Sequence, residues 1–595
     1  MALFTPSESP AVVVKEIDLT GGVPNVQSTT GAIVGNYRWG PILQRVRVSN
    51  ETELVDNFAS PNLFNNVDFI STTQFLRYSS SMYVVRNDDD SATNSLFLST
   101  GDSVATETTL TTERILNATD FENRQSTLES IADSNSGTNI IFAARYPGEL
   151  GNSIKVAYVG AQTDSSPAFT TWDYEASFDR APGTSTFANK FQATSDEMHV
   201  VVIDEDGKFT GSRGAVLETY PNLSMIAGAK ADDGSNVYAK DVINQNSKYV
   251  YMVNFPGAYD GIGAGSTIVD GNDYELGDSA TVGELSGTNG NDGNQLDVGD
   301  YLEGYDLFED KDQVEIDFLI APGLSTRTDQ NTIVNDLVAT AQQLRKDCVV
   351  SASPARSDVV GVSLDADKVT NAIATAANYT NSSYLVADNN YLKVYDKYND
   401  KYVEIPAASS IAGIMAATDF NRAPWFSPAG GRRGQLLGIT ALNYSPTKAQ
   451  RDALYKAGIN PIANVPGQGT ILFGDKTFLN RVSAFDRINV RRLFLVLERA
   501  IGRAAEQVLF EFNDEFTRAE FVNIVEPVLR EIKGRRGITD FRVVADETNN
   551  TAAVVDRNEF IASIFIKPAR SINYVTLNFV AVRTGVDFEE VVGTV

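Results

Sequence analysis

The chain holds a single cysteine, Cys348, and a single histidine, His199, in 595 residues. One thiol excludes an internal disulfide and a cysteine-based metal centre. One imidazole is too few for histidine metal sites and for most histidine acid–base chemistry, both of which need partners. These two shortages remove most hydrolase, oxidoreductase and zinc chemistry and leave only carboxylate mechanisms. His199 stands in the β-type run MHVVVID and reads as a strand residue. Cys348 reads as a buried strand residue and not a nucleophile. No apolar run reaches the length of a membrane-spanning helix. The opening residues MALFTPSESP lack the basic and apolar regions of a secretion signal. Cations are scarce as well: 49 Lys and Arg stand against 77 Asp and Glu, a net charge of −28. That balance argues against general nucleic-acid binding, which needs clustered positive charge.

What is present is unevenly placed. Residues 88–310 carry 11 Lys and Arg against 37 Asp and Glu, whereas residues 481–595 carry 16 against 17. Nearly all the excess acid therefore lies in one middle block, where it favours solubility and repels like surfaces. The length calls for several domains. Residues 1–30 read as an arm, with the β-type run Ala11–Ile17 broken by Gly21, Gly22 and Pro24. Residues 31–87 and 311–480 read as one α/β domain. Within it, strands are expected at Ala32–Gly35, Ser81–Arg86, Val314–Ala321, Cys348–Ala352 and Ile471–Phe473. Helices are expected at Glu51–Phe58 after an Asn50 cap, at Thr332–Lys346 and at Lys448–Ala457. Residues 88–310, rich in Thr, Ser, Asn, Asp and Gly, read as one or two inserted β-rich domains. Residues 481–595 read as an α+β domain: helices Ile488–Phe512 and Asp514–Lys533, a basic turn Lys533–Arg536, and β-type runs Phe541–Ala545, Glu559–Lys567 and Asn573–Arg583. The fold class is thus mixed α/β and α+β, in several domains, with extended arms at both ends.

Candidate chemistry weighs little against blander readings. Gly261–Thr267 (GIGAGST) lacks the Gly-Lys-Ser/Thr ending of a phosphate loop. Asp270, Asp273, Asp278, Asp292, Asp297 and Asp300 do not follow the ligand spacing of an EF-hand. A paired-carboxylate glycosidase in 88–310 stays open, because sequence does not give carboxylate separation. A surface-layer or adhesin protein needs a secretion route that these opening residues do not supply. No cofactor, metal or catalytic residue is expected.

The last third carries a specific resemblance. Phe473-Gly-Asp-Lys-Thr477, Phe485-Asp-Arg-Ile-Asn-Val-Arg-Arg-Leu-Phe494, Asp556-Arg-Asn-Glu-Phe560 and Pro568-Ala-Arg-Ser-Ile-Asn-Tyr574 resemble the contractile tail-sheath proteins of T-even-like myophages. Trp39-Gly-Pro41, Tyr146-Pro-Gly-Glu-Leu-Gly151, Tyr395-Asp-Lys-Tyr-Asn-Asp400 and Ser427-Pro-Ala-Gly430 fit the same family. The resemblance implies a structural, non-enzymatic subunit of the virion, assembled in the host cytoplasm. Its copies would form stacked hexameric rings around a tail tube, with baseplate and tail-terminator proteins as further partners and no nucleic-acid or membrane insertion. Contraction would drive the tube through the host envelope. A non-viral contractile injection system is the alternative within the same family. The arms, carrying Val12, Val13, Val14, Lys15 and Glu16 at one end and Val586, Phe588, Val591 and Val592 at the other, would add strands to neighbouring copies. Arg487, Arg491, Arg492, Arg499, Arg503 and Arg570 are candidate interface charges, with ion pairs inside the domain as the competing role.

Overall fold

Strand Gly31–Gly35 (GAIVG) is buried along its whole length, as a strand between two helical layers must be. It lies inside a six-stranded sheet of the computed structural model, which describes residues 29–98, 114–134, 140–161, 169–256, 264–267 and 282–572. The order across the sheet is Leu385–Ala387, Val349–Ala352, Phe318–Ile320, Gly31–Gly35, Met82–Arg86, Arg45–Val48. Neighbours run parallel except at the edge, where Arg45–Val48 is antiparallel to Met82–Arg86. Alternate residues point to opposite faces. Ala32, Val34, Leu319 and Val350 share a core with Tyr301 of helix Val298–Asp306 and with Ile333 and Leu337 of helix Arg327–Ala339. On the other face Phe75, from helix Asn66–Leu76, meets Phe318 at 6.3 Å between ring centroids. Glycines set both distances: a Cβ on Gly31 would come within 2.7 Å of the Phe75 ring, and one on Gly304 within 2.5 Å of Val34.

The helix expected at Thr332–Lys346 differs from the one observed. The α-helix spans Arg327–Ala339 and then widens into a π turn, Thr340–Arg345. That turn carries the Arg345 side chain inward, where it is fully buried. Its guanidinium donates to the carbonyls of Phe308 (2.7 Å), Asp310 (3.2 Å) and Val314 (2.7 Å) and forks onto Asp347 at 3.0 Å from each nitrogen. One arginine thereby fixes the stretch by which the chain re-enters the sheet after the acidic block.

Within that block, two antiparallel sheets share a core containing Phe97, Phe142, Val156, Val200 and Met252. One has the order Gly283–Ser286, Ile154–Gly160, Glu197–Asp204, Ala215–Ser224; the other has Leu96–Leu98, Ile140–Ala144, Val250–Met252. His199 is a buried residue of strand Glu197–Asp204. Its ring stacks on Phe178 at 4.3 Å and its Nδ1 accepts the Asn222 N–H, while burial lowers its pKa. Arg86, also buried, ties the block to the α/β sheet by donating to Gly40 O (2.9 Å) and Pro147 O (2.7 Å). Trp39 meets Tyr146 edge-on at 5.5 Å, so the Trp39–Pro41 turn and the Tyr146–Gly151 segment lie together.

The chain divides into two compact units. The larger holds the described residues of Val26–Ala423 with Pro428–Arg491; the smaller holds Pro424–Ser427 with those of Arg492–Val595. The limits expected at 88 and 311 fall inside the larger unit, and the one expected at 481 lies at Arg492. In the smaller unit Asp514 caps helix Glu515–Gly534, its side chain accepting the Thr517 N–H. The preceding helix, expected to reach Phe512, ends at Glu506, and Phe510 then turns to φ 69°. The strand expected from Glu559 begins at Ser563. The side chain of Asn550 takes both the N–H and the C=O of Ile561 at 2.9 Å, which withdraws them from any ladder. Strand Ile538–Val544 pairs with Ser563–Pro568, and among the described residues neither has a second neighbour. The run Asn573–Arg583 and both arms, including Val12–Glu16, Val586, Phe588, Val591 and Val592, lie outside the described residues.

Arg345→Ala leaves three buried carbonyls and Asp347 without their donor. It is expected to lower unfolding stability by about 3 kcal/mol, measured by urea denaturation at neutral pH.

Candidate functional site

Four of the candidate charges sit in the helix that begins at Ile488, and the residues before it fasten that helix down. Thr477 donates its N–H to Asp486 O (3.1 Å) and its hydroxyl to Phe485 O (2.7 Å), and Ile488 donates to Asp475 O (2.9 Å). The Phe473–Thr477 and Phe485–Phe494 motifs are therefore two sides of one connection. Arg487 donates to Asp475 Oδ1 (2.8 Å) and to the Tyr455 hydroxyl (2.5 Å). Lys476 packs on the same tyrosine, 4.0 Å from its ring centroid. Arg491 is 8% exposed. Its Nε and Nη2 donate to Ser383 Oγ at 3.0 and 2.6 Å. Its guanidinium lies between the rings of Tyr384 (4.3 Å) and Phe485 (4.2 Å). Cation–π contact on both faces makes this a packed anchor.

The candidate charges thus separate into groups. Arg487 and Arg491 are engaged within their own chain. Arg492 is buried, Arg499 and Arg503 are half-buried, and all three have interactions in the chain. Arg570 is exposed. The partners Asp475, Tyr455, Ser383 and Tyr384 carried no periodic signal, since each lies in a turn, a helix end or a connection.

In parallel α/β sheets ligands bind outside the carboxyl ends of the strands. Past strand Leu385–Ala387 that position is filled by the chain. Asp388, just past strand Leu385–Ala387, accepts from Ser353 Oγ (2.8 Å) and from the Asn390 N–H (3.0 Å). Asn389 Nδ2 donates to the Tyr444 hydroxyl (2.8 Å), and its Oδ1 accepts the Ile462 N–H (2.7 Å). Burial pushes Asp388 up to about 7, against the two hydrogen bonds that favour its charge. Asp68 is pushed up to about 6 for the same reason, opposed by the Asn36 N–H and the Tyr301 hydroxyl. The acidic loop reads likewise as structure. Asp297 and Asp300 form the capping box of helix Val298–Asp306, and Asp292 accepts the Glu149 N–H at 2.7 Å. Asp270, Asp273, Asp278 and Gly261–Gly263 lie outside the described residues. Among the described residues no group of three or more His, Cys, Asp or Glu side chains is placed to hold a metal.

A carboxyl whose folded pKa is raised takes up a proton on folding, so its contribution to stability falls as pH rises. For Asp388 the fall runs from about pH 4 to about pH 7. Asp388→Asn keeps the Asn390 and Ser353 contacts without charge. It is expected to flatten the pH dependence of the melting temperature in that window and to raise stability at pH 8 by on the order of 2 kcal/mol. The smaller slope from Asp68 should remain.

Comparison with known proteins agrees with this architecture. Residues 295–478 match the central domain of phage tail sheath proteins, and residues 482–581 match the phage tail sheath C-terminal domain. The tail sheath protein of Enterobacteria phage T4 is 31% identical over 687 aligned residues, covering 98% of this chain and 99% of that protein. The tail sheath protein of Vibrio phage KVP40 is 32% identical over 697, again covering 98% and 99%. The crystal structure of the sheath tail protein of Listeria innocua superposes with a TM-score of 0.52 at 11% identity, covering 92% of this chain and 97% of that one, which speaks to fold alone. With nearly its whole length aligned to these relatives at this level of identity, the chain belongs to the phage tail sheath protein family.

Proposed function

We propose that this chain polymerises as stacked hexameric rings around a tail tube, and that the resulting sheath contracts to drive the tube through the host envelope. The observation that carries this reading is the two-stranded sheet Ile538–Val544 with Ser563–Pro568. Among the described residues both outer edges of this sheet are free, and free edges are templates for further strands. The arms at residues 1–30 and 585–595 are the proposed source of those strands, contributed by neighbouring copies in the manner of β-strand addition. Such links pair backbone groups between chains yet leave the arms as flexible joints, so rings can slide and rotate without separating. The near-neutral balance of residues 481–595 suits a surface that meets copies of itself, while the acidic block 88–310 would face outwards and keep finished sheaths apart.

Contraction on this reading needs no nucleotide. The extended sheath is metastable and the contracted one buries more surface between subunits. At about 25 cal/mol per Å² of apolar surface, a few hundred Å² gained by each subunit sums to a large driving force over a long sheath. Tube, baseplate and tail-terminator proteins are the proposed partners, the baseplate starting both assembly and contraction.

Chains lacking residues 1–20 or residues 585–595 are expected to stay folded by circular dichroism and to form no sheath-length tubes in negative-stain images. Tubes of normal length from either truncation would sink the arm-linkage reading.

A further inference from the structure

The connection between helices Ile488–Glu506 and Glu515–Gly534 exposes a cluster of large apolar side chains. Leu509 is 59% exposed, Phe512 84%, Phe516 77%, and Phe510 entirely so. Three phenylalanines of about 150 Å² or more each are at the upper end of what monomeric proteins leave in water. Phe510 also holds a left-handed φ of 69°, uncommon for a bulky residue and not enforced here by burial. Around this tip stand Glu506, Glu511, Asp514, Glu515 and Glu520, with Arg518 as the one cation in the same stretch.

The opposite end of helix Glu515–Gly534, about 30 Å away at 1.5 Å per residue, has the reverse character. Lys533 lies in the last turn of the helix, and Arg535 and Arg536 form the turn that follows it. Pairing of Ile538 with Pro568, and the bond from Ala569 N–H to Gly537 O (3.1 Å), bring Lys567, Arg570 and Ile572 beside that turn. Ile572 is 83% exposed. Glu531 and Asp540 are the carboxylates paired there, with Arg535 and Lys533. Acid at a helix start and base at its end also suit the helix dipole. The dipole gives no reason for the aromatic side chains to stand in water.

We propose that these two ends are the halves of one contact between copies: the acidic aromatic tip Leu509–Phe516 of one chain seats on Ile572 and the basic rim Lys533, Arg535, Arg536, Lys567 and Arg570 of the next. The two surfaces are different, so the contact is head-to-tail and propagates in one direction, as ring or helix growth requires. It rests on the reading that copies of this chain polymerise, and it assigns Arg570 a place in that assembly. A second copy is the favoured occupant because apolar tip, apolar seat and opposite charged rims are all supplied by one unit of this chain.

The test mixes two full-length variants, Glu511→Cys and Arg536→Cys, under polymerising conditions with a short bismaleimide. Cys348 is buried and does not compete. Covalent dimers are expected from the mixture and not from either variant alone. A companion variant, F510S with F512S, is expected to melt at the wild-type temperature and to lose at least tenfold in sedimentable polymer. Wild-type polymer without cross-links in the mixture overturns the contact and leaves the sheath reading intact. Polymer from the companion variant that no longer binds tubes overturns it too, by giving the tip to the tube. Failure of the wild-type chain itself to polymerise overturns both readings.

Discussion

The pairing of Gly31 with Phe318 is the constraint on which the larger unit depends. It joins residues 287 positions apart, and the Thr30 N–H locks it by donating to the Asp317 carboxylate at 2.9 Å. Closing so long a connection costs only slowly growing entropy, provided the intervening chain folds on itself. It does so, in two antiparallel sheets whose contacts are largely internal to the acidic block. Arg86 at one mouth and Arg345 at the other then replace a flexible junction with buried hydrogen bonds to backbone carbonyls. Both sites use arginine, whose planar fork serves several acceptors at once.

With the sheet closed, the carboxyl end of strand Leu385–Ala387 is filled by Asp388, Asn389, Asn390 and Tyr444. These side chains hydrogen-bond one another and the neighbouring backbone. The carboxyl group buried there costs stability near neutral pH, and the neighbouring hydrogen bonds offset part of that cost. The same preference for fixed geometry recurs where Arg487 and Arg491 anchor the start of helix Ile488–Glu506. The smaller unit is different in kind. Among the described residues it has a two-stranded sheet with open edges, an aromatic tip and a basic rim. Rigid body on one side and unsatisfied surface on the other is what a polymerising subunit requires.

How much of this was legible varied with the physics. Asn50 before Glu51–Phe58 was readable because a cap is a local interaction, and its side chain does accept the Glu53 N–H. The strand–helix–strand order around Phe318–Ala352 was readable from periodicity. The π turn at Thr340–Arg345 was not, because its cause is a bond from Arg345 to carbonyls some thirty residues earlier. The late start of strand Ser563–Pro568 was hidden for a similar reason, since Asn550 competes for the backbone of Ile561. At the candidate site, chain pattern carried no sign that Arg491 would be enclosed by Tyr384 and Phe485. The acidic loop showed no cation-site spacing, but the capping box that Asp297 and Asp300 form was not read from it. The exposed tip had a signal that passed unread: four large apolar residues crowd into Leu509–Phe516 between two helical patterns.

The central claim is that neighbouring copies complete the open sheet of the C-terminal unit. The most direct measurement is a helical cryo-electron-microscopy reconstruction of tubes assembled from the full chain. The account predicts that both edges of the Ile538–Val544 and Ser563–Pro568 hairpin are hydrogen-bonded to strands contributed by other copies. Tubes in which those edges stay bare, or are covered only by the same chain, would contradict it.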